Sequence, residues 1–265
     1  MSYPSAAYSL ALQTALADLP LGGLRYFDSL GSTNDYALEW AAQGAPDLSL
    51  TVADEQTRGR GRMNRRWFTP RGTALAFSLI LRPTPEERAH PTLTSGLLAV
   101  SLAESLRKRG LAPLIKWPND VLLAGRKAAG ILVEAAWTGE RLEALVLGMG
   151  VNVSKDAVPP AEELLFPATS IEHETGQAAE RAVLLRDILS ALLEWRPRLG
   201  TGALVEAWDE NLAFRGRQVK VEGQSGEGIV GLLQGLASDG SLILRGEHGD
   251  SITVHFGEVH LRPLT

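Results

Sequence analysis

Glu55-Gln56-Thr57-Arg58-Gly59-Arg60-Gly61-Arg62-Met63-Asn64-Arg65-Arg66-Trp67-Phe68-Thr69-Pro70 is a loop dense in arginine, and its flanks decide what holds it. Leu50-Thr51-Val52-Ala53 before it reads as a short buried strand, and Thr73 to Leu81 after it as another. Gly59 and Gly61 stand between the charges, where glycine lets backbone N–H groups approach a ligand closely. Arginine brings forked donors that match phosphate and carboxylate oxygens. Such a loop suits an anionic ligand held against a sheet edge. The same composition also suits a solvated surface or a nucleic-acid patch. Trp67 and Phe68 close the loop, and a flat aromatic can stack on a nucleobase. Alternating glycine and arginine between two apolar strands is a poor match to a disordered RNA-binding tail.

Upstream, Leu24 to Phe27 reads as a strand and Tyr36 to Ala42 as a helix, entered through Ser32-Thr33-Asn34-Asp35. Ser32 with Asp35 is a capping pattern. Caps open most helices, so the first reading is structural; a helix N-terminus with hydroxyls and N–H groups can also hold a polar ligand group. Ser5 to Leu19 has mostly helical spacing and is stopped by Pro20 and Gly22-Gly23. A DNA-reading helix-turn-helix domain needs on the order of 50 residues, more than the segment before the first strand supplies.

Downstream, Pro91 to Arg109 is a predicted helix and Leu111 to Ile115 a strand. Lys116-Trp117-Pro118-Asn119-Asp120 follows, then two strands joined through Ala124-Gly125-Arg126. Pro118 and Asn119 serve as plain turn residues. Lys127 sits where the hairpin re-enters an apolar run, so it can face a site, although solvated hairpin lysines are commoner. Leu142 to Leu147 is a strand ending in Gly148-Met149-Gly150-Val151-Asn152-Val153. A dinucleotide fingerprint fails there, because the third glycine is missing and no helix follows. No Gly-x-x-x-x-Gly-Lys-Ser/Thr loop occurs, which argues against a P-loop kinase or ATPase. Ser154 to Thr175 is long for a bare loop, so it is functional or mobile. Arg181 to Trp195 and Leu204 to Phe214 are helices. From Arg215 short alternating segments follow, including Ile252 to Phe256, with turns at Asp239-Gly240 and His248-Gly249-Asp250. They predict a half-open barrel of about five strands. His248, His255 and His260 lack metal-ligand spacing with carboxylates, so no protein-held metal is expected.

The chain has 265 residues, 45% hydrophobic, with net charge -5 and no cysteine. The length supports one large domain and a small one. The acidic balance disfavours non-specific nucleic-acid binding over the whole surface, so the arginines form a local basic site on an acidic body. Without cysteine there is no disulfide, thiol nucleophile or Cys-ligated metal. No charged n-region precedes an apolar h-region and no apolar run reaches ~18 residues, so a soluble cytoplasmic protein is expected.

Four stretches together resemble the biotin protein ligases: Ser32-Thr33-Asn34; Gln56 to Arg66 with Trp67; Lys116 to Asp120 with Lys127 and Gly130-Ile131-Leu132-Val133-Glu134; and Gly148 to Asn152. They follow the family's order over nearly the whole chain. The resemblance implies an α+β fold: a mixed, mostly antiparallel sheet with flanking helices, like class II aminoacyl-tRNA synthetases, over residues 1–214, and a small SH3-like barrel over 215–265. It implies activation of biotin with ATP and Mg2+ to biotinyl-5'-AMP, then transfer to one lysine of a biotin carboxyl carrier protein, with no nucleic-acid or membrane partner. Arg60, Arg62, Lys127 and Asp120 would be catalytic. Ser32, Thr33, Asn34, Gln56, Arg60, Gly61, Arg62 and Lys127 would hold biotin. Arg62, Trp67, Lys116, Asn119 and Asn152 would hold ATP, Trp67 by stacking on adenine. Asp120 would help deprotonate or orient the incoming lysine.

The family's loop reads Gly-Arg-Gly-Arg-x-Gly-Arg and orders on ligand binding. Here Asn64 takes the place of the last glycine, and asparagine tolerates positive φ better than most residues. Some family members add an N-terminal DNA-binding domain and repress biotin synthesis; this chain is expected to be a short form without repressor activity, as monomer or dimer. The nearest rival is a lipoate or octanoate ligase, which shares the fold. The rival from another class is a nucleic-acid-binding module, whose affinity would fall steeply with salt.

Overall fold

The computed structural model describes residues 5–222, 228–255 and 260–264. Two sheets carry the chain. The larger comprises β1 (Gly23–Phe27), β2 (Ser49–Ala53), β3 (Ala74–Leu81), β4 (Pro113–Lys116), β5 (Asp120–Leu123), β6 (Arg126–Thr138) and β7 (Arg141–Asn152). Their order is β1-β2-β3-β7-β6-β5-β4. β1 and β2 are parallel, and every other neighbouring pair is antiparallel. The mixed sheet agrees with the expectation.

Strand alternation gives this sheet two unlike faces. One carries Leu75, Phe77, Leu79 and Leu81 of β3, with Leu145, Leu147, Met149 and Val151 of β7 in register opposite. These large side chains are buried against α4 (Leu93–Arg107), α6 (Arg181–Trp195) and α1 (Ser5–Leu16). The other face carries Ile80 and Val146 under Ala37 and Ala41 of α2 (Thr33–Ala42). Farther along, that face is floored by small residues: Ala76 and Ser78 of β3, Gly148 and Gly150 of β7, and Gly130 of β6. The hollow of the molecule is therefore written into every second residue of three strands.

Several elements differ from their sequence-based bounds. β7 runs through Gly148 and Gly150 to Asn152 instead of ending at Leu147. α7 (Ala203–Glu210) stops short of Phe214, which adopts φ 66°. A short helix, α3 (Pro85–Ala89), opens on a Thr84–Glu87 capping box that the sequence reading missed. The predicted hairpin holds: Ala124 and Gly125 both have positive φ, as a tight primed turn requires. Ser154 to Thr175 holds two single-turn 3-10 segments and α5 (Ile171–Thr175).

The smaller sheet comprises β8 (Gln218–Glu222), β9 (Gly228–Leu236), β10 (Leu242–Arg245), β11 (Ser251–Val254) and β12 (His260–Pro263), ordered β11-β10-β9-β8-β12 and antiparallel throughout. Phe256, expected to end a strand, and the His260 side chain lie outside the described residues. The turn at Asp239-Gly240 touches the larger unit. The fully buried indole of Trp117 donates its N–H to Gly240 O at 3.0 Å, and Thr92 Oγ1 donates to Asp239 O at 3.1 Å. Trp117→Phe removes the donor, strands a buried carbonyl and leaves part of the fully buried indole's space unfilled. It is expected to cost about 2–3 kcal/mol of unfolding free energy in urea titrations; an unchanged midpoint would show that neither the contact nor the packing around it carries stability. No helix of the described residues is long and apolar enough to cross a membrane.

Candidate active site

The hollow on the small-residue face is a cavity of about 560 Å³. It lies between the N-terminus of α2, the arginine loop, the Lys116–Asp120 turn and the segment that ends at Ala168. Ser32, Thr33, Asn34, Gln56, Arg60, Gly61, Arg62, Trp67, Lys116, Asn119, Asp120, Lys127 and Asn152, separated by up to 120 residues of chain, all line it.

One end is neutral and polar. Ser32 caps α2, accepting from Asp35 N. Thr33 donates through N and Oγ1 to Gln56 Oε1 at 2.8 and 3.1 Å. Asn34 donates to Leu132 O at 3.1 Å and Glu134 Oε2 at 2.8 Å, and its Oδ1 accepts from Ser78 Oγ at 2.5 Å. Ser78 also lies 2.8 Å from Thr33 Oγ1. Ser78 was not singled out in the sequence, although a lone hydroxyl inside the apolar run Ala74–Leu81 is the signal that could have found it. A Cβ on Gly148 would fall 1.9 Å from Asn34 Oδ1, so only glycine leaves room for this network.

The other end is charged. Asp120 is gripped by two lysines: Lys127 Nζ is 2.6 Å from Oδ1 and Lys116 Nζ 3.2 Å from Oδ2. Burial pushes the Asp120 carboxyl up, but Lys127 and then Lys116 outweigh it and hold the pKa at about 2. Asp120 is thus a firm anion and a poor proton acceptor. Its folded-state pKa lies below the ordinary 3.8, so its contribution to stability is full above that value and is lost as pH falls toward 2. Asp120→Asn should therefore flatten acid destabilisation in that window, by on the order of 2 kcal/mol; parallel urea titrations at stepped pH check it, and parallel wild-type and variant curves would contradict it. Lys116 also lies over the Phe166 ring, 4.9 Å from its centroid. Asn119 bridges to β6, donating to Ile131 O at 2.9 Å, and accepts from Arg62 Nη1 at 3.3 Å.

Between the two ends lies Trp67, partly buried, over Gly130 and Gly150, which are paired in register. A Cβ on Gly150 would fall 2.1 Å from Trp67 Nε1, and one on Gly130 3.0 Å from the indole ring. Lys127 Nζ lies 5.4 Å from the ring centroid. The wall opposite is fixed to Lys127 by its backbone: Lys127 N donates to Pro167 O at 2.8 Å and Thr169 N to Lys127 O at 2.9 Å. Asn152 holds the same wall, donating to Thr169 O at 3.0 Å.

The arginine loop folds as a small hairpin. Trp67 N donates to Gly59 O at 2.8 Å, and Gly61 N to Arg65 O at 2.7 Å. A Cβ on Gly59 would fall 2.5 Å from Trp67 O, so glycine is required there, whereas Gly61 meets only ordinary contacts. The Gly61 N–H, expected to face a ligand, is used inside the loop. The left-handed residue at the tip is Met63 (φ 56°, ψ 41°), not Asn64. Arg60 also departs from expectation in its partners. Its Nη2 is 2.6 Å from Asp35 Oδ1 and 2.8 Å from Glu134 Oε2. Burial works against the Arg60 charge, but Glu134 and then Asp35 outweigh it and raise its pKa further. Its Nε is buried without a hydrogen-bond partner among the described residues. Among those residues no cluster of three His, Cys, Asp or Glu is placed to hold a metal ion.

Comparison with known proteins gives a consistent set of likenesses. The model of the Biotin/lipoate A/B protein ligase family matches residues 26–152, and that of the Biotin protein ligase C terminal domain matches residues 214–262. The biotin--[acetyl-CoA-carboxylase] ligase of Paracoccus denitrificans is 35% identical over 234 residues, covering 83% of this chain and 93% of that one. The bifunctional ligase/repressor BirA of Bacillus subtilis (strain 168) is 40% identical over 167 residues, 63% of this chain; the match spans 51% of that relative's length, about half. The biotin protein ligase from Aquifex aeolicus in complex with biotin and ATP superposes with a TM-score of 0.76 at 28% identity, covering 91% of this chain and 99% of that one.

Proposed function

The chain belongs to the biotin/lipoate A/B protein ligase family, and on that premise we propose that it activates biotin with ATP to biotinyl-5'-AMP, releasing pyrophosphate, and transfers the biotin to one lysine of a biotin carboxyl carrier protein. The observation that carries this reading is the two-ended cavity, neutral and hydrogen-bonding at Thr33, Asn34 and Gln56, and cationic at Lys116, Lys127 and Arg62, with Trp67 at the join. A ureido ring needs the first end and an adenylate the second. The match of the C-terminal domain model favours biotin over lipoate.

The roles follow from the charges. Lys127, at the cationic end beside Trp67, faces the place where negative charge accumulates as carboxylate meets α-phosphate, and a fixed cation in a part-desolvated site lowers that barrier most. Arg62 serves the same charge from the loop side. Arg60, tied to two carboxylates, holds the loop, and its remaining Nε–H is left for biotin. Gln56, Thr33 and Ser32 fix the ring end, and Trp67 stacks on adenine with Asn119 and Asn152 beside the nucleotide. Closing the loop over the mixed anhydride excludes water. Asp120 orients rather than deprotonates the acceptor lysine, in keeping with a carboxyl held at about 2. Magnesium would arrive on the phosphates of ATP, since both oxygens of Asp120 are already taken by lysines. We assign residues 1–214 to the catalytic unit and 215–265 to a barrel that braces the Lys116–Asp120 turn.

Incubation with ATP, magnesium and an apo carrier domain, with biotin or lipoate in separate tubes, tests the reading by mass spectrometry. One biotinyl group on one lysine is expected. Lipoyl transfer in its place, or no transfer, would overturn it.

A further inference from the structure

Arg60 lies on the arginine loop and lines the cavity, yet its guanidinium is paired within an acidic notch. The notch is built from α2 and β6, elements that the loop does not belong to. Glu134 presents both oxygens to Arg60 Nη2, at 2.8 and 3.1 Å. Asp35 adds a third at 2.6 Å. Glu134 is itself held, because its Oε2 accepts from Asn34 Nδ2 at 2.8 Å, and Asn34 is fixed by Ser78 and by Leu132 O. A carboxylate already fixed in place loses little side-chain freedom when it pairs.

We propose that Glu134, assisted by Asp35, is a positioning residue that latches Arg60 and thereby holds the arginine hairpin over the cavity. The latch shares Asn34 with the polar end of the cavity, so loop closure and the geometry of that end are set by one network. Two charge-assisted contacts at one guanidinium are strong, but Asp35 is nearly half exposed and its share is screened. Glu134 is the principal member. The consequence for biotin rests on the ligase reading; the latch itself does not.

Trypsin tests the latch directly, because the hairpin offers Arg58, Arg60, Arg62, Arg65 and Arg66. In folded protein without ligand, Glu134→Gln is expected to speed cleavage within the hairpin by about tenfold or more. Cleavage elsewhere and the unfolding midpoint should change little, and Asp35→Asn should have a smaller effect. Arg60→Gln breaks the same contact from the loop side without touching β6, and must also release the hairpin; if Glu134→Gln does not fold, it decides alone. Biotin should then protect the variants by a larger factor than it protects the wild type. In pyrophosphate exchange, the biotin KM of Glu134→Gln should rise about tenfold with kcat within about threefold. Hairpin cleavage unchanged in folded Glu134→Gln and Arg60→Gln would overturn the proposal. Hairpin release with no exchange in the wild type would leave the latch standing and remove the ligase reading.

Discussion

Lys127→Gln is expected to lower biotin-dependent pyrophosphate exchange by about a thousandfold, a few kcal/mol of transition-state stabilisation, as for the loss of a fixed charge stabiliser. Two effects add. The ammonium beside Trp67 at the cationic end disappears, so the charge expected to develop between carboxylate and α-phosphate loses its nearest cation. The same substitution removes the stronger of the two charges that keep Asp120 ionised, leaving only Lys116 at 3.2 Å. The burial that already pushes this carboxyl upward then meets less opposition. Steady-state exchange with ATP and biotin varied separately measures the loss, which should fall on kcat more than on either KM. Exchange within about threefold of wild type would reduce Lys127 to a counter-ion of Asp120.

Gly150→Ala is expected to raise the ATP KM at least thirtyfold, roughly 2 kcal/mol, and to spare most of the fold. The new Cβ would fall 2.1 Å from Trp67 Nε1 and 2.3 Å from Cε2, so the indole must leave its glycine platform. Trp67 is only partly buried and can move, so the cost falls on its alignment with adenine rather than on the core. Gly148, two residues away on the same face, gives the contrast. Gly148→Ala would meet Asn34 Oδ1 at 1.9 Å; the biotin KM should rise and the ATP KM should hardly change. Substrate-varied exchange on the two variants reads this split. Equal effects on both substrates would contradict the assignment of the two ends.

Much of this arrangement could be read from residue order. The arginine loop between two apolar strands, the Ala124-Gly125 hairpin and the small C-terminal sheet follow from local periodicity and turn chemistry, and the structure has them where they were expected. The glycines of β7 misled because Gly148 and Gly150 look like the end of a strand. Their lack of side chains is explained by Asn34 and Trp67, which come from 114 and 83 residues away in the chain. Ser78 was passed over for a related reason: its partners Thr33 and Asn34 are on α2, and nothing local reports them. The pairing of Arg60 with Glu134 joins residues 74 apart, so nothing local reports the carboxylates that meet an arginine lining the cavity. The burial of Asp120 between two lysines depends on the sheet as a whole. Asn64 shows the limit of a residue-type argument, since the left-handed turn falls one residue earlier, on Met63.

Biotin-dependent exchange of labelled pyrophosphate into ATP, with magnesium and with lipoate in a parallel tube, tests adenylate formation in this cavity most directly. Exchange with biotin and none with lipoate is the predicted result. Exchange with lipoate alone, or with neither from a folded sample, would contradict the account.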